Sequence, residues 1–172
     1  MSSEQLKAIL FDLDDTIIAF DAVAEQSWQE ACRRFATRLK GIEADRLYTT
    51  IKETRKWYMS DKERHRYMRL NIDQSRRDLV AMTFEHLGID APELGFQLAD
   101  SYGVERERAI FPLPGAIETL ERCKKSSVRL ALLTNGTSTM QRRKVERFGL
   151  APYFDFIFIE EELGFGKPDE RV

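Results

Sequence analysis

Cysteine is scarce: Cys32 and Cys123 are the only two in 172 residues, and neither belongs to a CxxC pair. That rules out a disulfide framework and fits a reduced, cytoplasmic protein. No apolar run approaches the roughly 18 residues that a membrane span needs. Met1 to Lys7 is polar and leads straight into an apolar segment, unlike an export signal. A dominant charge is missing as well. The chain carries 27 basic and 29 acidic residues, a net charge of −2, which removes the electrostatic case for a nucleic-acid polymer. It still allows a local pocket for a small anion. Internal repeats and low-complexity segments are absent.

What is present is a foldable mixture, 42% hydrophobic and 33% charged. Three short apolar runs end at polar or glycine-containing residues: Ala8 to Phe11 before Asp12, Val128 to Leu133 before Thr134-Asn135-Gly136, and Phe156 to Ile159 before Glu160 to Glu162. Runs of this length suit strands buried on both faces of a parallel sheet. Pro114-Gly115 opens a helix reaching about Lys125, and Ser138 to Phe148 reads as another, stopped by Gly149. The order helix, strand, helix, strand predicts an α/β, doubly wound fold. The residues between are charged and helical in pattern, with helices at roughly Ala22 to Leu39, Asp45 to Met59, Asp61 to Gly88 and Pro92 to Arg106. The expected organisation is a core from residues 1–18 and 109–172, with a helical lobe at 19–108.

The chemistry concentrates where the apolar runs stop. In an open parallel sheet, ligands bind beyond the carboxyl ends of the strands. Asp12-Leu13-Asp14-Asp15-Thr16 follows the first run, and alternation along an extended segment turns Asp12 and Asp14 to one side. Two carboxylates that close repel unless a cation lies between them, and oxygen ligands favour magnesium. Taken alone, Asp14-Asp15 is equally explained as the start of a turn. Thr134-Asn135-Gly136 offers a hydroxyl and turn amides for phosphoryl oxygens, ahead of a helix whose positive end begins near Ser138. As a bare turn with an N-cap it is unremarked. Gly164-Phe165-Gly166-Lys167-Pro168 holds a lysine on a constrained loop, although most lysines are surface charge.

Together and in this order, the three segments resemble the haloacid dehalogenase superfamily, whose phosphatases carry a DxDxT motif, a strand ending in Thr or Ser, and a later lysine. The helical insert after the first motif resembles the helical-bundle cap of the capped subgroup. The resemblance implies a Rossmann-like parallel sheet and two-step phosphoryl transfer. Asp12 is then the nucleophile and Asp14 the acid and base. Thr134 and Asn135 contact phosphate, and Lys167 steadies Asp12 and the phosphoryl charge. Thr16 and Gly136 support their loops. Magnesium is held by the Asp12 carboxylate and the Asp14 main-chain carbonyl. An acid at Asp14 favours phosphatase over dehalogenase. The substrate it implies is a small phosphorylated metabolite, such as a nucleoside monophosphate or sugar phosphate.

The family's fourth, acidic motif has no counterpart, because only Pro168 to Val172 follow Lys167. Asp169 and Glu170 stand where a helix should begin and would complement its dipole. Glu160 to Glu162 read as an exposed charged turn. The expectation is therefore a sheet incomplete at the C-terminus, leaving Ala8 to Phe11 an apolar edge. The chain is then a fragment or truncated product, or a partner covers the edge, a second copy included. A catalytically impaired, binding-only pseudophosphatase and a sugar phosphomutase are the competing readings. Elsewhere, His65 and His86 read as structural, and Trp28, Trp57, Tyr58 and Tyr67 as packing residues of the lobe. Ile17 to Asp21 reads as a hinge and specificity segment, and Arg142-Arg143-Lys144 as a solvated helix face.

Overall fold

The computed structural model describes residues 6–126 and 128–172, so most of the polar lead-in, Met1 to Gln5, lies outside the described residues. The chain divides into two compact units. One runs to Asp21 and resumes over Phe111–Val172; the other is Ala22–Ile110. The division falls slightly beyond residues 18 and 108 for a local reason. β2 (Ile18–Ala19) pairs antiparallel with β3 (Phe111–Pro112), and this ribbon stays with the sheet-bearing unit. Strands of two residues carry no readable period, so the sequence did not announce them.

In the sheet-bearing unit, β1 (Ala8–Phe11), β4 (Arg129–Thr134) and β5 (Phe156–Ile159) form a parallel sheet in the order β1-β4-β5. Phe11 pairs with Leu132, and Thr134 with Ile159. Parallel neighbours need a crossover. α7 (Ser138–Arg147) supplies it between β4 and β5, and α6 (Ala116–Lys124) precedes β4. The α/β parallel architecture is thus as the apolar runs predict.

Burial on both faces is not general, however. Leu130 and Leu132 on the middle strand are 1% and 0% exposed. Leu10 on β1 is 61% exposed and Phe156 on β5 is 49% exposed. These two strands lie at the sheet's edges, where a neighbour covers one side only. The unit's core is closed by Leu13, Ile17, Ile18, Leu120, Leu150 and Ile159, each at most 1% exposed.

The helical unit comprises α1 (Ala24–Ala36), α2 (Ala44–Met59), α3 (Lys62–Leu70), α4 (Ile72–Leu87) and α5 (Pro92–Ala109). α1 buries Ala24, Trp28, Ala31, Cys32 and Phe35, a three- and four-residue spacing that makes one apolar stripe. Trp28 stacks on Tyr102 with ring centroids 3.6 Å apart and planes at 9°. The single helix expected from Asp61 to Gly88 is broken at Asn71 (φ −134°, ψ 50°). There the Asn71 side chain donates to the Tyr67 carbonyl at 3.1 Å, competing with the backbone ladder. Trp28 and Tyr58 are buried as expected of packing residues, whereas Trp57 and Tyr67 are 52% and 46% exposed. Among the described residues, no helix is long and apolar enough to cross a membrane.

Candidate active site

β1 delivers Asp12 at its carboxyl end. Asp12 Oδ1 accepts from the Leu13 main-chain N–H at 2.8 Å and lies 2.7 Å from Lys167 Nζ. The following loop is tight: the Leu13 carbonyl accepts from the amides of Ile17 and Ile18 at 2.9 and 3.0 Å. It turns at Asp15, whose φ of +57° is tolerated by few residues other than glycine, asparagine and aspartate. The Asp15 carboxylate then accepts from the amides of Phe20 and Asp21 at 2.9 Å each. Thr16, expected to support this loop, is exposed. Asp15 does the supporting, because its acceptor faces the returning backbone. The segment read as a hinge, Ile17 to Asp21, begins with Ile17, Ile18 and Ala19 fully packed, each at most 1% exposed.

Asp14 faces a different element. Lys144 Nζ reaches both of its carboxylate oxygens, at 2.7 and 2.8 Å, and Gln141 Nε2 reaches Oδ2 at 3.1 Å. Both partners come from α7. Gln141, Lys144 and Val145 are three and four residues apart, so they share the helix face turned inward. Arg142-Arg143-Lys144 is therefore not uniformly a solvated face. Lys144 is 5% exposed, whereas Arg142 and Arg143 are exposed. Helical periodicity anchored on Val145 is the sequence signal for Gln141 and Lys144, and it cuts across the basic run.

Thr134 ends β4 and is 2% exposed. Its hydroxyl accepts from Gln141 Nε2 at 2.6 Å, and the same nitrogen lies 2.7 Å from the Asn135 carbonyl. Gln141 thus ties Asp14 to the end of β4. Asn135 was expected to touch phosphate, but its side chain serves a loop: Nδ2 donates to the Lys167 carbonyl at 2.8 Å, and Oδ1 accepts from the Lys167 amide at 2.9 Å.

The turn amides are also spoken for. Gly136 (φ +114°) donates its N–H to the Glu160 carboxylate at 3.0 Å, and Ser138 donates its own to Glu161 at 2.7 Å. The cap of α7 is Thr137, whose hydroxyl accepts from Met140, rather than Ser138. Glu160 to Glu162 are consequently no turn, although Glu161 and Glu162 are exposed as expected. They form α8 (Glu160–Leu163), with Glu160 2% exposed, and Glu162 grips Arg142 through two contacts of 2.6 and 2.7 Å. Arg142, followed by the Ser138 hydroxyl, holds the Glu162 carboxyl below the ordinary carboxylate range.

Lys167 sits on the loop after α8, and Nζ also donates to the Leu133 carbonyl at 3.0 Å. No helix follows among the described residues. The Asp169 amide turns back onto Gly166, and the Asp169 carboxylate pairs with Arg171 at 2.6 Å instead of meeting a helix dipole. The structure therefore brings together Asp12, Asp14, Thr134, Asn135 and Lys167, with Gly136 tied to Glu160, while Thr16 is exposed. His65 and His86 belong to the helical unit.

As a cation site, the end of β1 offers oxygen donors. No group of three or more His, Cys, Asp or Glu side chains converges among the described residues. Magnesium commonly takes only one or two protein carboxylates and completes its shell with water and substrate phosphate. The Asp12 side chain, 42% exposed, is open enough for that, so the donors present fit the ion.

A family model described as haloacid dehalogenase-like hydrolase matches residues 6–172. The chain is 28% identical to a glyceraldehyde 3-phosphate phosphatase of Methanopyrus kandleri over 172 residues, 97% of this chain and 67% of that protein. It is 42% identical to a phosphoserine phosphatase of Thermus thermophilus over 83 residues, 48% of this chain and 32% of that protein. Among solved structures, the magnesium-bound HAD-hydrolase YfnB of Bacillus subtilis superposes with a TM-score of 0.65 at 24% identity, covering 96% of this chain and 68% of that one. The chain thus spans about two thirds of the length of the relatives it matches end to end.

Proposed function

The chain belongs to the haloacid dehalogenase-like hydrolase family, and from that membership we propose that it is a phosphomonoesterase acting on a small phosphorylated metabolite through Asp12. The observation that carries this reading is the convergence of Asp12 and Lys167, 2.7 Å apart, at the carboxyl ends of β1 and β4. Phosphoryl transfer needs a nucleophile held in line and fixed positive charge on the transferring oxygens. Asp12 supplies the first and Lys167 the second.

In the proposed sequence, an Asp12 oxygen attacks phosphorus, and the bond from phosphorus to the substrate's leaving oxygen breaks. Asp14 gives that oxygen its proton. Water then attacks the aspartyl-phosphate, Asp14 takes the water's proton, and inorganic phosphate leaves. The Thr134 hydroxyl, at the end of β4, serves a phosphoryl oxygen. Asn135 and Gly136 hold the loops that present Lys167 and Thr134. Magnesium, held by the Asp12 carboxylate and the Asp14 main-chain oxygen, would supply neutralising charge to the phosphate.

The names of the relatives support the substrate class, since they denote phosphatases of a triose phosphate and of phosphoserine. The helical unit is proposed as a cap that selects among such substrates. Hydrolysis of 4-nitrophenyl phosphate, with magnesium or with chelator, tests the activity. Turnover that needs magnesium and is lost in Asp12→Asn supports it; turnover that survives Asp12→Asn refutes it.

A further inference from the structure

We infer that Lys144, supported by Gln141, is the positioning residue that fixes Asp14 as the base for the hydrolytic half of the reaction. The inference rests on the phosphatase reading above and deepens it, because that reading gives Asp14 a role without saying what holds it there.

The geometry separates two ion pairs. The Asp12 carboxylate has Lys167, and the Asp14 carboxylate has Lys144. Lys144 is the more deeply placed: its side chain is 6% exposed, against 35% for Lys167. An ammonium so buried is costly without a counter-charge, and breaking such a pair leaves the remaining charge stranded. Contacts of 2.7 and 2.8 Å from one nitrogen to both Asp14 oxygens fix the plane of the carboxylate as well as its place. The Phe20 ring, with its centroid 3.7 Å from Nζ, covers the ammonium. One turn earlier, Gln141 holds Asp14 Oδ2 and Thr134 together. An amide nitrogen has two hydrogens, so its close approach to Asp14, Thr134 and the Asn135 carbonyl requires sharing, which couples these acceptors. The Asp14 side chain nonetheless keeps 24% exposure, an open side through which it can meet water.

The pairing bears on the hydrolytic half of the cycle. Two contacts from one ammonium aim the Asp14 carboxylate at the proton that water must give up in hydrolysis of the aspartyl-phosphate. The water's oxygen bonds to phosphorus, the bond from phosphorus to the Asp12 oxygen breaks, and the water's proton passes to Asp14. That proton returns to the leaving oxygen of the next substrate molecule, so the cycle balances. Without Lys144 the base is poorly aimed, and an ångström of misplacement is enough to slow such a step by about a hundredfold.

The test uses a substrate whose leaving group needs little protonation, so that only the hydrolytic step depends on Asp14. With 4-nitrophenyl phosphate and magnesium, Lys144→Met is expected to lower kcat by about 10- to 100-fold. KM should fall by the same factor, leaving kcat/KM within about threefold of the parent, since slowing breakdown of a covalent intermediate affects both alike. Rapid mixing should show a burst of one nitrophenolate per chain, and Lys144→Arg should recover most of kcat. Gln141→Leu should give the same pattern more weakly, and it serves if Lys144→Met does not fold. A fall in kcat/KM equal to that in kcat with no burst, or no change at all, overturns the inference while leaving the phosphatase reading intact. A parent chain without turnover overturns both.

Discussion

The Lys167 ammonium lies 2.7 Å from Asp12 Oδ1 and 3.0 Å from the Leu133 carbonyl, so one side chain joins the ends of β1 and β4. It does so from a loop with no helix or strand of its own, whose position depends on Asn135 and on the absence of a side chain at Gly166.

Asn135 clamps the Lys167 main chain at both its N–H and its carbonyl. Asn135→Ala should release the loop and lower kcat/KM for an aryl phosphate by about 10- to 100-fold, the scale of a misplaced charged group. A double-mutant cycle with Lys167→Ala should be strongly non-additive, because the clamp acts through the lysine. Additive losses would contradict that coupling.

Gly166 is a close-approach position. A Cβ there would lie 2.6 Å from both Asn135 Oδ1 and Glu160 Cγ, and 2.7 Å from Glu160 Cδ. Glu160 is buried and holds Gly136, so it has little room to give way. Gly166→Ala should cost about 1–3 kcal/mol in denaturant unfolding, along with activity. A neutral effect on both would show that this loop tolerates repacking.

The contact between α7 and α8 should weaken in acid. Arg142 first, and the Ser138 hydroxyl second, lower the Glu162 pKa in the folded protein. A lowered carboxyl contributes stability above its unfolded pKa, roughly 4.3, and loses it as pH falls through the folded value. The pair is partly exposed, its side chains 54% and 31% accessible, so its worth is under about 1 kcal/mol. Arg142→Gln should therefore flatten the stability profile below about pH 4.3 and leave a small uniform loss above it. An unchanged acid limb would contradict this.

The two thiols should differ in reactivity. Burial pushes the Cys32 thiol up to about 12, and the side chain is fully enclosed in the helical core. Thiolate is the reactive form. A thiol reagent at pH 8 should leave Cys32 unmodified until the chain unfolds, while partly exposed Cys123 reacts in the folded state. Rapid labelling of Cys32 in native conditions would show that the helical unit opens readily.

Much of this was legible in the sequence, for identifiable reasons. The apolar runs before Asp12, Thr134 and Glu160 gave the parallel strands, since a strand run bounded by polar residues has few alternatives. Motif order gave Asp12 and Lys167, which the fold brings into contact across a long sequence separation. Three things were concealed. Lys144 was hidden because a basic run looks like a solvated face until the helix phase is fixed by Val145. Asp15 was hidden because a left-handed aspartate has no mark of its own beside Asp14. Glu160 was hidden because carboxylates that close onto turn amides look, in a string of letters, like any acidic turn.

Asp12 acting as a covalent nucleophile would carry the phosphate itself, and a search for that phosphate tests the proposed mechanism at its first step. The chain is mixed with excess 4-nitrophenyl phosphate and magnesium, quenched in acid within milliseconds, digested and examined by mass spectrometry. The expected result is a phosphorylated peptide containing Asp12, lost in Asp12→Asn and enriched in Lys144→Met. Turnover with no phosphate on that peptide in either the parent or Lys144→Met, under a quench that preserves acyl phosphates, would contradict it and point to direct attack by water.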